Sequence, residues 1–284
     1  TPSADYSNFV DILKNKDQYK FNVISLPGLI YEFATHKSII DELITDIQTR
    51  TDALIPIDLV TYGKDVSDVT TQANLLNTSY GASYWPWLLT NDSQTGKAVW
   101  CPASTLIPSV YVFNDNTSAA WFAPAGLTRG NIANVVLPER TLPRADRDTL
   151  YEGRINPMAT FSDVGVVIFG NKTLQVKETA LNRINVRRLL LQARKLISAV
   201  SIRLLFEQND DVVRNQFLSL VNPILDNIRK ERGLTDFRVV LDDTPESIDR
   251  NELNGRIFIK PTRSLEFISI EFNITNTGAS FDDI

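Results

Sequence analysis

One cysteine, one histidine and one methionine occur in 284 residues, and each scarcity closes off a kind of chemistry. Cys101 alone allows no disulfide within the chain, and Cys101 with His36 cannot furnish a four-ligand zinc site. A nucleophile-histidine arrangement would have to use His36, which opens an amphipathic helix and is accompanied by no G-x-S-x-G elbow. His36 therefore reads as a structural or solvent-facing residue. Positive charge is also in short supply: 29 Lys and Arg stand against 34 Asp and Glu, a net charge of −5. The chain as a whole makes no electrostatic case for nucleic acid, although a local basic patch is compatible with that balance. No apolar run reaches the roughly 18 to 20 residues of a membrane span, and no signal-peptide pattern opens the chain. Glycines are not arranged as a phosphate cradle either: G-x-x-x-x-G-K-[ST] and G-x-G-x-x-G are both missing. These absences argue against a zinc site of cysteines and histidines, a phosphate-binding loop and a membrane span, and no cofactor, no metal and no direct membrane contact are expected.

What is present is periodic. "KFNVISLPG" (20–28) reads as a strand and turn, and "THKSIIDELITDIQTR" (35–50) as a helix burying Ile39, Ile40, Leu43, Ile44 and Ile47, with Thr35 as its N-cap. "ALIPIDLVTYG" (53–63) is the next strand and "SDVTTQANLLN" (67–77) a shorter helix. Strands alternating with helices imply a parallel or mixed sheet covered by helices. "GNIANVVLPERTLPRADRDTLYEGRINPMATF" (130–161) shows little periodicity, and the boundary between two lobes is placed within it. Beyond it, "DVGVVIFGNKTL" reads as a strand, and Val186, Leu189, Leu190, Ala193, Ile197, Val200 and Leu204 form one apolar helical stripe. A second long helix follows, with a kink or break at Pro223 and a stop at Gly233. Three strands close the chain, the last from Leu265 to Thr275.

Three groups of residues are candidates for function. Arg183, Arg187, Arg188, Arg194 and Lys195 mark a basic helix face, which suits an acidic partner and equally a solvated face with internal salt bridges. The terminal strand, with Phe267, Ile268, Ile270 and Phe272, is either an ordinary strand or one lent to a neighbouring subunit. The acid pairs Asp210-Asp211, Asp242-Asp243 and Asp282-Asp283 read as caps and turns, or else as a carboxylate pair of a hydrolase such as Asp242 with Asp243.

Five blocks carry a family likeness: "WFAPAGLTRGNI" (121–132), "LYEGRINPMATF" (150–161), "VGVVIFGNKTL" (164–174), "LNRINVRRLL" (181–190), and "FRVVLDD" with "IDRNELNGRIFIKPTRSLEFISIEF" downstream. In this order they resemble the tail sheath proteins of contractile-tailed bacteriophages, over roughly residues 100 to 284. The resemblance implies an α/β plus α+β architecture: a subtilisin-like α/β sandwich region over 1–155, then a sheath C-terminal α+β domain over 156–284. It also implies a non-enzymatic subunit that polymerises helically around a tail tube in stacked six-membered rings. Contraction of that polymer drives the tube through the host envelope. The implied partners are other sheath subunits, the tail tube protein, and baseplate and tail terminator proteins, with no direct contact to nucleic acid. The place is the virion tail, assembled in the host cytoplasm. Terminal arms that add strands to neighbouring sheets belong to the same picture. The chain opens Thr1-Pro2 without methionine, so it is expected to be a fragment lacking the N-terminal part. A sheath of a bacterial contractile injection system is the alternative. Within the first block, whose structural signature is Trp121, Pro124, Gly126, Arg129 and Gly130, Trp121 and Phe122 are expected to anchor a loop in the core, with Pro124 and Gly126 shaping its turn and Arg129 pinning it to an acidic group.

Overall fold

The computed structural model describes residues 2–92, 94–241 and 253–267. In chain order the helices are α1 (Pro2–Leu13), α2 (Ala34–Arg50), α3 (Val66–Ala73), α4 (Ile107–Thr117), α5 (Gly126–Arg129), α6 (Arg144–Glu152), α7 (Ile184–Ser201) and α8 (Asp211–Lys230). The strands are β1 (Ile55–Ile57), β2 (Gly81–Trp85), β3 (Leu88–Asn91), β4 (Ala98–Cys101), β5 (Val135–Pro138), β6 (Ile155–Phe161), β7 (Gly165–Ile168), β8 (Leu234–Leu241) and β9 (Gly255–Pro261).

The central sheet runs β1-β2-β6-β7, parallel from β1 through β6 and antiparallel at β7. β1 and β2 are buried at every residue, as a sheet covered on both faces requires, and successive side chains point to opposite faces. Ile55, Ile57, Trp85 and Ile155 enter one core with the apolar stripe of α2, with Val69 of α3 and with Leu150 of α6. Leu54, Ala82, Tyr84 and Met158 point the other way, onto Ile107, Val110 and Tyr111 of α4 and Ile184 and Leu191 of α7. A smaller sheet, β4-β3-β5, stands beside it. The third core joins α7 and α8 to the β8-β9 hairpin through Leu189, Val221, Leu225, Ile228 and Leu234.

Several elements differ from the sequence expectation, each for a local reason. Residues 20–28 contribute only an isolated bridge, Val23 to Leu54, in place of a strand. Helix α2 starts one residue before Thr35 with no side-chain cap; the His36 ring instead accepts a hydrogen bond from the Ile30 amide, at 3.1 Å. α8 passes through Pro223 without ending, because Pro223 lies on the exposed face, where water can serve the carbonyl its ring leaves free. The stretch 130–161 is ordered as β5, α6 and β6, and β6 and β7 join the sheet begun by β1 and β2. The Asp210-Asp211 pair caps a helix: Asp210 accepts from the amides of Val212 and Val213. Asp242, Asp243, Asp282 and Asp283 lie outside the described residues, as do Ile268, Ile270 and Phe272.

A buried charge gives this lobe a testable pH dependence. Asp58, just past β1, accepts from the Ser104 amide at 3.0 Å and from the Ser104 hydroxyl. Burial pushes its carboxyl from 3.8 up to about 6, although both Ser104 hydrogen bonds pull the other way. The folded state therefore holds a proton that the unfolded state releases between these values. Stability falls as pH rises through about 6 and recovers on acidification towards 4. Asp58→Asn is expected to stabilise the chain near neutral pH by about 2 kcal/mol and to flatten that slope. Thermal melts across this range check both.

Candidate assembly surfaces

The loop that joins α4 to α5, residues 118–125, ties the central sheet to the α7-α8 lobe. The Trp121 indole donates to the Glu231 carbonyl at 3.0 Å, and its ring packs against the third core. A Cβ added at Gly233 would lie 2.9 Å from the Trp121 ring and 2.7 Å from Ile228. Close approach, then, is what Gly233 supplies, while Arg232 takes the left-handed turn after α8, with φ 67°. Gly130 is constrained in the same way, since a Cβ there would meet the Ile168 carbonyl at 2.7 Å. Gly126 turns with φ 83° beside the buried Pro124. Among the described residues Arg129 meets no acid: it donates to the Ala123 carbonyl at 3.2 Å and covers the Phe122 ring, contacts within the loop in place of the expected acidic anchor.

A polar seam continues from this loop. Asn185 at the start of α7 donates to the Trp121 carbonyl at 3.3 Å, Asn171 donates to Asn185 at 2.9 Å, and Asn171 also reaches the Ser264 hydroxyl at 3.2 Å. Two residues on, Glu266 accepts two bonds from Arg183, at 2.6 and 3.0 Å, and one from the Tyr151 hydroxyl at 2.8 Å. Burial, and then the Glu266 charge, push the Tyr151 phenol well up. Burial also lowers the Lys172 ammonium, which covers the Tyr151 ring at 4.4 Å. Sequence reasoning missed Glu266, Tyr151, Asn171 and Asn185. All four fall in or beside the blocks quoted above, but pairs up to 115 residues apart leave no periodic trace.

The five basic residues expected to share one surface are dispersed. Arg183 is engaged by Glu266. Arg187 is buried, donates to the Ser79 hydroxyl and stacks on the Tyr80 ring at 4.0 Å. Arg188 is buried too, pairs with Asp115 through two bonds of 2.8 and 2.6 Å, and covers Tyr111 at 4.5 Å. The reason is that α7 buries a wide arc against both the second and third cores, so the positions adjoining its apolar stripe face neighbours instead of water. Only Arg194 and Lys195 remain on the exposed side. Leu265 and Phe267 are largely exposed and belong to no described strand.

Between the seam, α6 and the residues following β9 lies an open groove of about 830 Å³. Phe122, Phe161 and Phe169 line it together with arginines from α5, α6 and the turn after α8. Among the described residues no three acidic, histidine or cysteine side chains gather where a metal could be held, and no helix is long and apolar enough to cross a membrane. The arrangement is one of surfaces and clamps.

Comparison with known proteins gives this arrangement a family. Residues 176–275 match the profile described as phage tail sheath C-terminal domain. The tail sheath protein of Vibrio phage KVP40 is 40% identical over 196 residues, 68% of this chain and 29% of that protein. The chain belongs to the tail sheath family. The tail sheath protein of Enterobacteria phage T4 is 36% identical over 65% of this chain and 28% of its own length. That of Salmonella phage ViI is 27% identical over 78% and 36%. The chain thus spans about a third of the length of these family members. Solved structures share the fold. The contracted sheath complex of an extracellular contractile injection system, PVC, superposes with TM-score 0.75 at 20% identity, over 93% of this chain and 74% of that one. The contracted helical sheath of the anti-feeding prophage gives 0.72 at 19%, over 93% and 73%. The mixed α/β content and the sheath C-terminal domain expected from the sequence are both present.

Proposed function

We propose that the chain is the C-terminal portion of a contractile phage tail sheath subunit, which polymerises helically around a tail tube and contracts to drive the tube through the host envelope. The observation that carries this reading is the sequence identity to three phage sheath proteins; the likeness to contracted sheaths supports it. A sheath of a bacterial contractile injection system is the second reading, favoured by the fold of those same neighbours. The partners are other sheath subunits in stacked hexameric rings, the tube, and baseplate and terminator proteins, in a virion tail assembled in the host cytoplasm. The role is structural, and the carboxylate-hydrolase reading rests on Asp242 and Asp243 alone.

In this reading residues 1 to about 155 are the subtilisin-like α/β region and the remainder the sheath C-terminal domain. Hydrogen bonding of β6 and β7 to the first sheet favours drawing the boundary some way later, nearer the start of the matched region at 176. The β8-β9 ribbon supports strand exchange, since among the described residues the two strands pair only with each other and leave both outer edges available to an added arm. Contraction needs no nucleotide if the extended lattice is metastable and rigid bodies slide into one with more buried interface. Rigidity is what the Trp121 clamp and the Glu266 seam supply.

Exposed charge suits a tube contact that must release. Arg194→Glu with Lys195→Glu is expected to weaken sheath assembly on tubes several-fold, and more so at low salt. Electron microscopy of sheath length and co-sedimentation with tubes measure this. Unaltered length and contraction would remove these two residues from the interface.

A further inference from the structure

Two surfaces left exposed among the described residues are complementary to each other. The first is the turn between α7 and α8, where Ile202, Leu205, Phe206 and Val212 all face solvent. Phe206 is fully exposed and adopts φ 70°, a region that a bulky side chain rarely enters. The backbone thus holds an aromatic ring out into water at a conformational cost, a combination that a docking element explains and a bare loop does not. Glu207, Asp210 and Asp211, all exposed, flank this knob against one exposed arginine, Arg203, and Asp211 is paired with Arg214 at 3.6 Å, so the balance of charge is negative.

The second surface is the 830 Å³ groove. Its floor is aromatic, with the Arg147 guanidinium 5.7 and 5.5 Å from the Phe161 and Phe169 rings. Its rim carries Arg129, Arg144, Arg147, Arg232 and Arg263 against two acids, Asp148 and Glu266, of which Glu266 is already held by Arg183 and Tyr151. An apolar floor inside a basic rim is the counterpart of an apolar knob whose flanking charges are mostly acidic.

The two cannot meet within one chain. α8 has 20 residues, about 30 Å at the usual rise of 1.5 Å per residue. The knob sits at its N-terminal end, reaching into its first turn at Val212, and Arg232 of the groove lies two residues past its last. Knob and groove therefore sit at opposite ends of one rigid rod. A contact between two different surfaces of identical subunits is heterologous, and it closes into a ring or extends as a helix. We propose that the α7-α8 knob of one copy docks, Phe206 first, in the arginine-rimmed groove of a second copy. This deepens the sheath reading and rests on it, because it specifies one head-to-tail contact of the polymer.

The test uses two single-cysteine chains in a Cys101→Ser background, one with Phe206→Cys and one with Arg144→Cys. Both positions are exposed. Mixed and oxidised under assembly conditions, they are expected to form the 206–144 cross-link between unlike chains in preference to 206–206 or 144–144 pairs. A charge exchange supplies the second arm. Glu207→Lys with Gln208→Lys, and separately Arg144→Glu with Arg263→Glu, should each reduce self-association at least tenfold while circular dichroism stays unchanged. Mixing the two variants should restore it, since each knob then faces a groove of opposite sign. Tubes that assemble without the 206–144 link, as they would if residues beyond 267 or another protein filled the groove, overturn the docking and leave the sheath reading standing. Dominant 206–206 pairing overturns it in favour of a symmetric contact. Failure of the polypeptide encoded by the whole reading frame to associate in any form would overturn the docking and the sheath reading together.

Discussion

Truncating Trp121 to alanine is expected to destabilise the chain by about 3 kcal/mol, the lower end of the range for a large aromatic, because its ring is half-buried and not fully enclosed. Three losses combine. The indole no longer donates to the Glu231 carbonyl, the notch kept open by Gly233 becomes a cavity, and the loop whose carbonyl accepts from Asn185 loses its anchor. The damage should be directional. The α7-α8 hairpin and β8-β9 should unfold at lower denaturant than the central sheet, turning one cooperative transition into two. Trp121→Phe keeps most of the packing and should cost about 1 kcal/mol, the worth of one hydrogen bond. Chemical denaturation followed by far-ultraviolet circular dichroism measures both. A wild-type midpoint for Trp121→Ala would show that the loop clamps nothing.

Arg188→Met is expected to cost about 3 kcal/mol for a different reason. The side chain of Arg188 is almost wholly enclosed, and its partner Asp115 is about a third exposed. Removing the guanidinium strips Asp115 of both its short bonds and takes the cation off the Tyr111 ring. The carboxylate left behind is the main penalty, so Asp115→Asn in the same background should recover part of the loss. Tyr111 also meets the Tyr84 hydroxyl, and burial pushes its phenol up to about 12. The pair therefore stays neutral and cannot serve as a counter-ion to Arg188. A double-mutant cycle gives the coupling energy; a value near zero would mean that the ion pair is incidental to the packing of α7 on α4.

α2 was legible because Ile39, Ile40, Leu43, Ile44 and Ile47 keep one spacing and meet one core, and all five are buried. The parallel start of the sheet followed from strands alternating with helices. α6 was not legible, because Leu150 is its one buried residue and a single apolar position sets no period. The arginines of α7 misled for a related reason. A helix lodged between two cores buries more than one stripe, so charge beside the apolar positions was read as a face when Arg187 and Arg188 are internal partners of Tyr80 and Asp115. The first block was recognisable as a clamp, yet what it clamps depends on Glu231 and Gly233, more than a hundred residues away.

A sheath subunit has to stay stiff while its contacts are exchanged. The proposed sheath role accords with the arrangement of this chain: charged groups beside the central sheet are paired inward, as in Glu266 with Arg183, while an aromatic knob and a basic groove are left outward at opposite ends of α8. The central claim, that the chain is part of a polymerising sheath, is tested most directly by electron microscopy of the polypeptide encoded by the whole reading frame that contains this sequence, expressed alone and together with its tail tube protein. Hollow helical tubes built of stacked six-membered rings are the predicted result. A protein that stays monomeric at every concentration and leaves the tube bare would contradict the account.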